Sequence, residues 1–374
     1  MEPVTVDGAF RSQAGVISRR QVLAAGLDDN DVERLLRRRE WAVVHPGVYV
    51  NHTGPLVWIQ RAWAAVLALA PAVLAGPSAL RVHGMTDAGG PSAERQARDL
   101  LVHVAVERDR HVKAPRGVVV VRRTNLASRA QSHLSPPRLR FEEAVIDVAD
   151  QAARDSDAVG VISAACQQGL TTPTRLLAAT RLRSRLKRRR LLLEVLGDAT
   201  AGVRSVLERR YFREVERPHG LPQGRRQRRL LTRRGSTYRD VEYSEQSAVV
   251  ELDGRLVHGT ADARWLDLER DIESAVAGDV TVRLGWVHVT DPCRTAAAVV
   301  RLLRSRGWTG AATACSPRCA VGDVVSAVPE CGGSPAPGAG DPPQSAGQFG
   351  RGQATGGVRS SQPRRIADSR WSSG

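Results

Sequence analysis

Between residues 15 and 51 the apolar positions follow first a helical and then a strand-like spacing. The segment GVISRRQVLAAGL predicts a short helix that begins after Ser18, a favourable cap residue, and ends at Gly26. The next segment, DDNDVERLLRRREW, predicts a second helix with acids in its first turn and arginines in its last. WAVVHPGVYVN then predicts two short strands around a His-Pro-Gly turn. The predicted order is helix, turn, helix and β-hairpin.

The middle of the chain, residues 56–200, has the pattern of a mixed α/β region. Its long uncharged run at residues 62–80 is rich in Ala and is broken by Pro71, Gly76 and Pro77, so it predicts a buried helix and a turn rather than a membrane span. Two alternating apolar runs within residues 100–124 predict a β-hairpin, and helical spacing dominates the residues that follow.

In residues 201–308 the pattern predicts helices and strands in alternation, and the last element is a helix. Residues 204–217 predict an amphipathic helix, and two acid-bearing strands follow at residues 236–243 and 247–258, joined by a turn at Ser244–Gln246. A basic loop precedes these strands, and a helix, a strand and a last helix come after them. The predicted element order of this region is αβββαβα.

From residue 309 onward Gly, Pro, Ala and Ser predominate and apolar periodicity is nearly lost. Such a segment buries too little apolar surface to offset its ordering entropy, so we expect residues 309–374 to be disordered. The five cysteines are scattered and are expected to be reduced thiols. Cys315 and Cys319 have a loose metal-ligand spacing, but only Cys331 and no histidine lies nearby in the sequence, so zinc is not expected there.

The strongly positive net charge of the chain indicates an acidic binding partner. The net charge is +16, and 53 of the 55 basic residues are Arg, with Lys only at Lys113 and Lys187. Arginine makes bidentate contacts with phosphate and guanine, which favours double-stranded DNA as a partner. A GC-rich genome would also enrich Arg throughout a protein. The first 20 residues are charged and lack an apolar core, so we expect no signal peptide and a cytoplasmic location without membrane contact.

The N-terminal pattern resembles a known family. The run from Gly15 to Val50, with HPGVYV after a basic helix, is similar to the N-terminal domain of AbiEi-type antitoxins, and residues 76–85, GPSALRVHGM, resemble the helix that follows in that family. The resemblance implies a winged helix-turn-helix at residues 1–55 that binds DNA, in a transcriptional autoregulator with a cognate toxin as a further partner. Its second helix would present four arginines to DNA: Arg34, Arg37, Arg38 and Arg39. The alternative is a small helical domain whose basic face is only solvated.

The two acid-bearing strands of residues 236–258 suggest a different chemistry. Asp240 and Glu251 lie on neighbouring predicted strands, from which two carboxylates can converge on one ion. Carboxylate oxygens are preferred ligands of Mg²⁺ or Mn²⁺, and such an ion supplies the hydroxide and the charge relief that phosphodiester hydrolysis needs. The alternative is an ordinary hairpin with solvated acids.

Residues 203–308 resemble the PD-(D/E)xK nuclease superfamily, and most closely an uncharacterised family related to very-short-patch-repair endonucleases. The resemblance implies that Asp240 and Glu251 bind the metal and that Glu208 is the acid of the first helix. Asp253 occupies the position where the superfamily has its lysine, so Asp253, His258 or Arg270 would have to position the water or stabilise the transition state. Further positions that match the family are Asp267, Asp271, Arg283 and Trp286.

The sequence thus predicts a multidomain α+β or α/β protein with two alternative functions. In one, a winged helix brings a Mg²⁺-dependent endonuclease or nickase domain to DNA. In the other, an antitoxin-like autoregulator carries a nuclease-like domain without activity. The missing lysine favours the second alternative, and the Asp240, Glu251 and His258 set favours the first.

Overall fold

Two of the N-terminal helices and the hairpin that follows them lie where local sequence signals place them. The computed structural model describes residues 5–86, 101–201, 205–232, 235–256 and 278–326. Within residues 6–50, three helices accompany a three-stranded antiparallel sheet of order β1-β3-β2. These elements are α1 (Val6–Ser12), β1 (Val16–Ser18), α2 (Arg19–Ala24), α3 (Asp29–Arg37), β2 (Ala42–His45) and β3 (Val48–Val50). Helix α1 and strand β1 were not anticipated from the sequence.

Side-chain caps explain the start of α2 and α3. The Ser18 hydroxyl accepts the backbone N–H of Gln21, whose side chain accepts the N–H of Ser18 in return. Asp28 and Asp31 form the same reciprocal box at the start of α3. Gly26 follows α2 with a φ of +89°, a left-handed conformation that glycine adopts without strain and that reverses the chain between the two helices.

The N-terminal sheet has an apolar layer on each face. On one face Val22, Val32, Trp41 and Tyr49 form a small core with the helices. On the other face Val16, Val48 and Val50 pack against Trp63 and Ala64, which belong to α4 (Trp58–Ala68). The run that was predicted as a buried helix and turn therefore covers the sheet.

The middle region contains a mixed five-stranded sheet of order β6-β5-β4-β8-β7. Its strands are β4 (Val73–Leu74), β5 (Val102–Glu107), β6 (Val118–Arg123), β7 (Ala130–Gln131) and β8 (Arg138–Leu139). Strands β5 and β6 pair in parallel, with Val102 opposite Val118, so the hairpin predicted for residues 100–124 is wrong. Parallel strands need a crossover between them, whereas the sequence pattern reports only the alternation within each strand.

Helices cover this sheet and continue to the C-terminal region. They are α5 (Gly76–Val82), α6 (Leu126–Arg129), α7 (Phe141–Gln151), α8 (Asp155–Gln167), α9 (Pro173–Arg181) and α10 (Arg189–Ala201). Their buried faces belong to the same large apolar cluster as the strands, and Ile146 in α7 and Ile162 in α8 are among its most fully buried side chains. Among the described residues there is no helix with both the length and the apolar character needed to cross a bilayer.

The C-terminal region contains a four-stranded sheet of order β12-β11-β10-β9, in which β11 and β12 are parallel and the other pairs are antiparallel. Helix α11 (Ser205–Arg210) continues as a π-helical turn, Tyr211–Glu216, and a 3-10 turn, Arg217–His219. The other elements are β9 (Arg225–Thr232), β10 (Gly235–Tyr243), β11 (Ala248–Asp253), β12 (Val280–Gly285), α12 (Trp286–Val289) and α13 (Pro292–Ser305). The predicted Ser244–Gln246 turn is confirmed as a 3-10 turn between β10 and β11.

The prediction of disorder from residue 309 is wrong for residues 309–326. Helix α14 (Ala320–Ser326) follows α13 and packs against it, and both Cys319 and Val321 are buried. The sparse apolar residues were not enough to reveal this contact, because they are buried by tertiary packing against α13 and not by their own neighbours along the chain. Residues 327–374 lie outside the described residues. All described residues belong to one compact unit, residues 1–328, and the predicted internal boundaries near residues 55 and 200 remain predictions.

Candidate nucleic-acid interface and carboxylate face

The four arginines predicted to contact DNA are all exposed at the C-terminal end of α3. Arg34 and Arg37 lie in the last turn of the helix, Arg38 is its C-cap residue, and Arg39 has a left-handed φ of 59°. Cations at this end also compensate the negative pole of the helix dipole. The structure therefore brings the cluster together at the point where the chain leaves α3 for the hairpin.

Ion pairs neutralise part of the charge on this surface. Arg34 Nη2 lies 2.6 Å from Asp31 Oδ1, and Arg38 Nη1 lies 3.9 Å from Glu40 Oε1. At the opposite end of α3, Arg19 of α2 contacts Asp29 in a two-pronged pair, with Nη2 and Oδ2 2.5 Å apart. This pair lowers the pKa of the Asp29 carboxyl, because the hydrogen bond from Arg19 favours its ionised form.

The hairpin that follows α3 presents a second exposed surface. Val43 in β2 is exposed, and the turn after His45 relies on Gly47, which has a φ of +72°. Burial lowers the pKa of the His45 imidazole, so this ring is held neutral more readily than in a free chain. The hairpin therefore offers a largely uncharged surface beside the arginine cluster.

The acids of the C-terminal sheet share one face of β10 and β11. Val241 pairs with Val250, so Asp240 and Glu251, one residue beyond each, belong to facing positions on the neighbouring strands. The opposite face, with Val241, Tyr243, Val250 and Leu252, is buried in the apolar core. The strand alternation predicted from the sequence is thus confirmed at these positions.

Each acid on this face has a definite partner. Asp240 is buried, and its Oδ2 accepts the backbone N–H of Leu252 at 2.7 Å. Arg283 Nε donates to Glu251 Oε2 at 3.1 Å from the parallel strand β12, where these two residues are register partners. Asp253 accepts the backbone N–H and the guanidinium of Arg255. The pairing of Arg283 with Glu251 had no local signal in the sequence, because it depends on the register of β11 and β12, whereas Arg255 lies only two residues from Asp253.

The remaining predicted site residues have different outcomes. Glu208 is half-buried in α11, and its Oε2 accepts the Gln227 amide of β9 at 3.0 Å. His258 and Arg270 lie outside the described residues, as do Asp267 and Asp271. Within the described ranges, Asp240 and Glu251 do not belong to a group of three or more side chains that could hold a metal. The predicted Mg²⁺ site stays a prediction.

One set of chemistry-bearing side chains was missed by the sequence analysis. His219 and three cysteines, Cys293, Cys315 and Cys319, come together and share no residue with the carboxylate face. The spacing of Cys315 and Cys319 was the only sequence signal, because the other two ligands come from segments that are distant along the chain.

Comparison with known proteins supports the N-terminal surface alone. The sequence model of the family described as "Transcriptional regulator, AbiEi antitoxin" matches residues 8–52, which span α2, α3 and the β2–β3 hairpin. No curated protein matches the chain. The matched segment is a small part of the 374 residues, and it is the part that contains the exposed arginine cluster. The chain thus carries a domain similar to the AbiEi antitoxin transcriptional regulators, which supports a DNA-binding role.

Proposed function

We propose that this protein is an antitoxin-like transcriptional regulator that binds duplex DNA through α3 and the β2–β3 hairpin. The observation that carries the proposal is the exposed cluster of Arg34, Arg37, Arg38 and Arg39, at the end of a helix that follows another helix after a short turn. The match of residues 8–52 to AbiEi antitoxin regulators supports it. The N-terminal domain is then a winged helix-turn-helix, and a cognate toxin is its expected protein partner.

The charge distribution along α3 favours this role. The acids at the start of the helix make intramolecular contacts: Asp28 and Asp31 form the capping box, and Asp29 pairs with Arg19. The arginines at the other end project into solvent with long, flexible side chains. Such guanidinium groups bind phosphate oxygens in pairs of hydrogen bonds and release counterions from the DNA. The helix would therefore approach DNA with its arginine end.

The test is a salt titration of duplex binding by fluorescence anisotropy, with the DNA upstream of the gene as probe. Replacing Arg37 and Arg38 with Ala should weaken binding and reduce the slope of log K against log salt by about 1.8, or about 0.9 for each lost phosphate contact. A double change of two other exposed arginines, Arg108→Ala with Arg116→Ala, is the matched control. An unchanged slope in the α3 variant, or an equal change in the control, would contradict the proposal.

A second candidate function is metal-dependent cleavage of DNA by the C-terminal region. Two observations favour it: the β12-β11-β10-β9 order with only β11 and β12 parallel, and the placement of Asp240 and Glu251 on one face of β10 and β11. This order fits the restriction-endonuclease-like fold that residues 203–308 resemble. The oxygen donors also fit a hard cation, and Asp240 and Glu251 would hold it. Bound Mg²⁺ or Mn²⁺ would supply an activated hydroxide and charge relief at the leaving oxygen.

The residues around these carboxylates would complete the site. Arg283 contacts Glu251 and would have to share it with the ion. Asp253, His258 or Arg270 would orient the attacking water in place of the missing lysine, and Glu208 would contribute from the first helix.

The nuclease candidate is tested by nicking of supercoiled plasmid with Mg²⁺ or Mn²⁺. Asp240→Asn should abolish nicking without changing duplex binding, whereas Glu245→Gln, at an exposed acid in the turn after β10, should leave both unchanged. Absence of nicking by the wild type, or nicking that persists in Asp240→Asn, would reject the nuclease and leave the regulator proposal intact.

A further inference from the structure

Four side chains with metal-binding atoms meet at one place beside α13. His219 ends the 3-10 turn after α11, Cys293 lies in the first turn of α13, and Cys315 and Cys319 precede α14. Their ligand atoms all lie within 4.8 Å of one another. The sulfur atoms of Cys293 and Cys315 are 3.5 Å apart, far beyond the roughly 2.0 Å of a disulfide bond. The cysteines are therefore free thiols in a compact group.

The histidine in this group is oriented as a metal ligand. His219 is 1% exposed, and its Nδ1 lies 2.8 Å from the carbonyl oxygen of Val215. A carbonyl oxygen only accepts hydrogen bonds, so Nδ1 carries the proton and Nε2 has a free lone pair. Nε2 is buried and has no hydrogen-bond partner in the described part of the chain. A backbone carbonyl that fixes the ring in this tautomer is the usual outer contact of a zinc-binding histidine.

The dimensions and the donor types indicate the ion. Tetrahedral zinc has Zn–S bonds of about 2.3 Å and Zn–N bonds of about 2.0–2.1 Å, so its sulfur ligands lie about 3.8 Å apart. The four atoms within 4.8 Å of one another are close to that arrangement. Three thiolates and an imidazole are soft and borderline donors, which select Zn²⁺ over Mg²⁺ or Ca²⁺.

We propose that His219, Cys293, Cys315 and Cys319 bind one Zn²⁺ in a closed structural site. Four protein ligands leave no position for water or substrate, which distinguishes a structural zinc from a catalytic one. The site is separate from the DNA-binding and nuclease proposals and shares no residue with either.

The contacts around the site show which segments of the chain the ion would link. The N–H of Thr313 donates to the carbonyl oxygen of His219 at 2.9 Å, and Gly220, with a φ of +64°, lets the two segments approach closely. A Cβ at Gly220 would lie only 3.1 Å from the carbonyl oxygen of Ala311. Residues 311–326 contribute little apolar surface of their own, so a zinc ion that joins them to α13 and the 217–219 turn would hold them in place.

The first test is the metal content of the full chain purified under reducing conditions. Mass spectrometry of the native protein should find about one Zn²⁺ per chain, and the double variant Cys315→Ser with Cys319→Ser should lose it. Cys166→Ala is the matched control, since Cys166 is buried in α8 outside the group, and should retain zinc. Retention of a full equivalent by the double variant would overturn the proposal.

A second test needs no variant and therefore decides the question even where the cysteine changes prevent folding. Wild-type protein stripped of metal and titrated with Co²⁺ should show thiolate-to-cobalt charge transfer and the intense visible bands of a tetrahedral ion, saturating at about one equivalent. Zn²⁺ should displace these bands, and chelation should lower the melting temperature by several degrees. A wild-type protein with neither bound zinc nor a cobalt spectrum, or with a Cys293–Cys315 disulfide instead, would overturn the proposal.

Discussion

The Oδ2 atom of Asp240 accepts the backbone N–H of Leu252 at 2.7 Å, so a predicted metal ligand also bonds the neighbouring strand. Asp240 is 5% exposed, and loss of its carboxylate would leave a buried N–H without its acceptor. Asp240→Ala should therefore lower the free energy of unfolding by about 1–3 kcal/mol. Asp240→Asn keeps an acceptor oxygen and should cost less, as measured by urea unfolding. Equal losses in the two variants would mean that this hydrogen bond contributes little.

Arg34 and Arg37 should contribute unequally to DNA binding. Arg34 is paired with Asp31 within the helix, whereas no ion pair of Arg37 is seen in the described part of the chain. Arg37→Ala should thus reduce the salt slope of duplex binding by about 0.9, and Arg34→Ala by less. Asp31→Asn keeps the capping oxygen but removes the competing charge, so it should increase the slope. A larger loss from Arg34→Ala than from Arg37→Ala would contradict this ranking.

The buried Glu216 should make stability depend on pH. Burial raises the pKa of this carboxyl in the folded protein, against the opposing effect of Arg226 and Tyr243. The stability that protonated Glu216 contributes is fully present below the unfolded-chain pKa of about 4.3. It is lost as pH rises through the higher pKa of the folded protein. Relative to wild type, Glu216→Gln should thus become more stable as pH rises across that interval. Urea unfolding at a series of pH values measures the difference.

Glu214 is the matched control on the same turn. Burial opposes its ionisation, but hydrogen bonds from Arg213 and Arg210 outweigh burial and lower its pKa. The stability that it contributes is present above about pH 4.3 and is lost as pH falls through the folded pKa. Glu214→Gln should therefore lose stability relative to wild type as pH rises, the reverse of Glu216→Gln. Parallel pH profiles for the two variants would refute the assignment.

The chain should tolerate a short C-terminal truncation but not a longer one. Removal of residues 311–374 deletes α14 with the buried Cys319 and Val321, and should lower the melting temperature. A loss of about 1 kcal/mol lowers the melting temperature of a unit of 328 residues by roughly 1–2 °C, because the entropy of unfolding grows with chain length. Removal of residues 329–374 should leave the melting temperature unchanged, as their Gly- and Pro-rich composition predicts. Calorimetry of both truncated chains compares them with the full chain.

Local sequence signals were sufficient for elements that are stabilised by their own neighbours along the chain. The Ser18 and Asp28 caps, the Gly26 stop and the Pro46-Gly47 turn act within a few residues, so α2, α3 and the β2–β3 hairpin could be predicted. The same holds for the alternation that places Asp240 and Glu251 on one face of their strands. The candidate DNA surface and the carboxylate face were thus determined by the sequence to the level of named residues.

Tertiary structure decided how distant segments meet. Strands β5 and β6 alternate as a hairpin would, but their parallel pairing depends on the path of the connecting residues across the sheet. Arg283 reaches Glu251 only because β12 pairs with β11 in a particular register. His219 and Cys293 lie 74 positions apart in the sequence, and no local pattern relates them. They meet because α13 packs against the turns that follow α11, and burial of apolar surface between these segments brings the two side chains together, while the packing of α14 on α13 brings Cys315 and Cys319 to them.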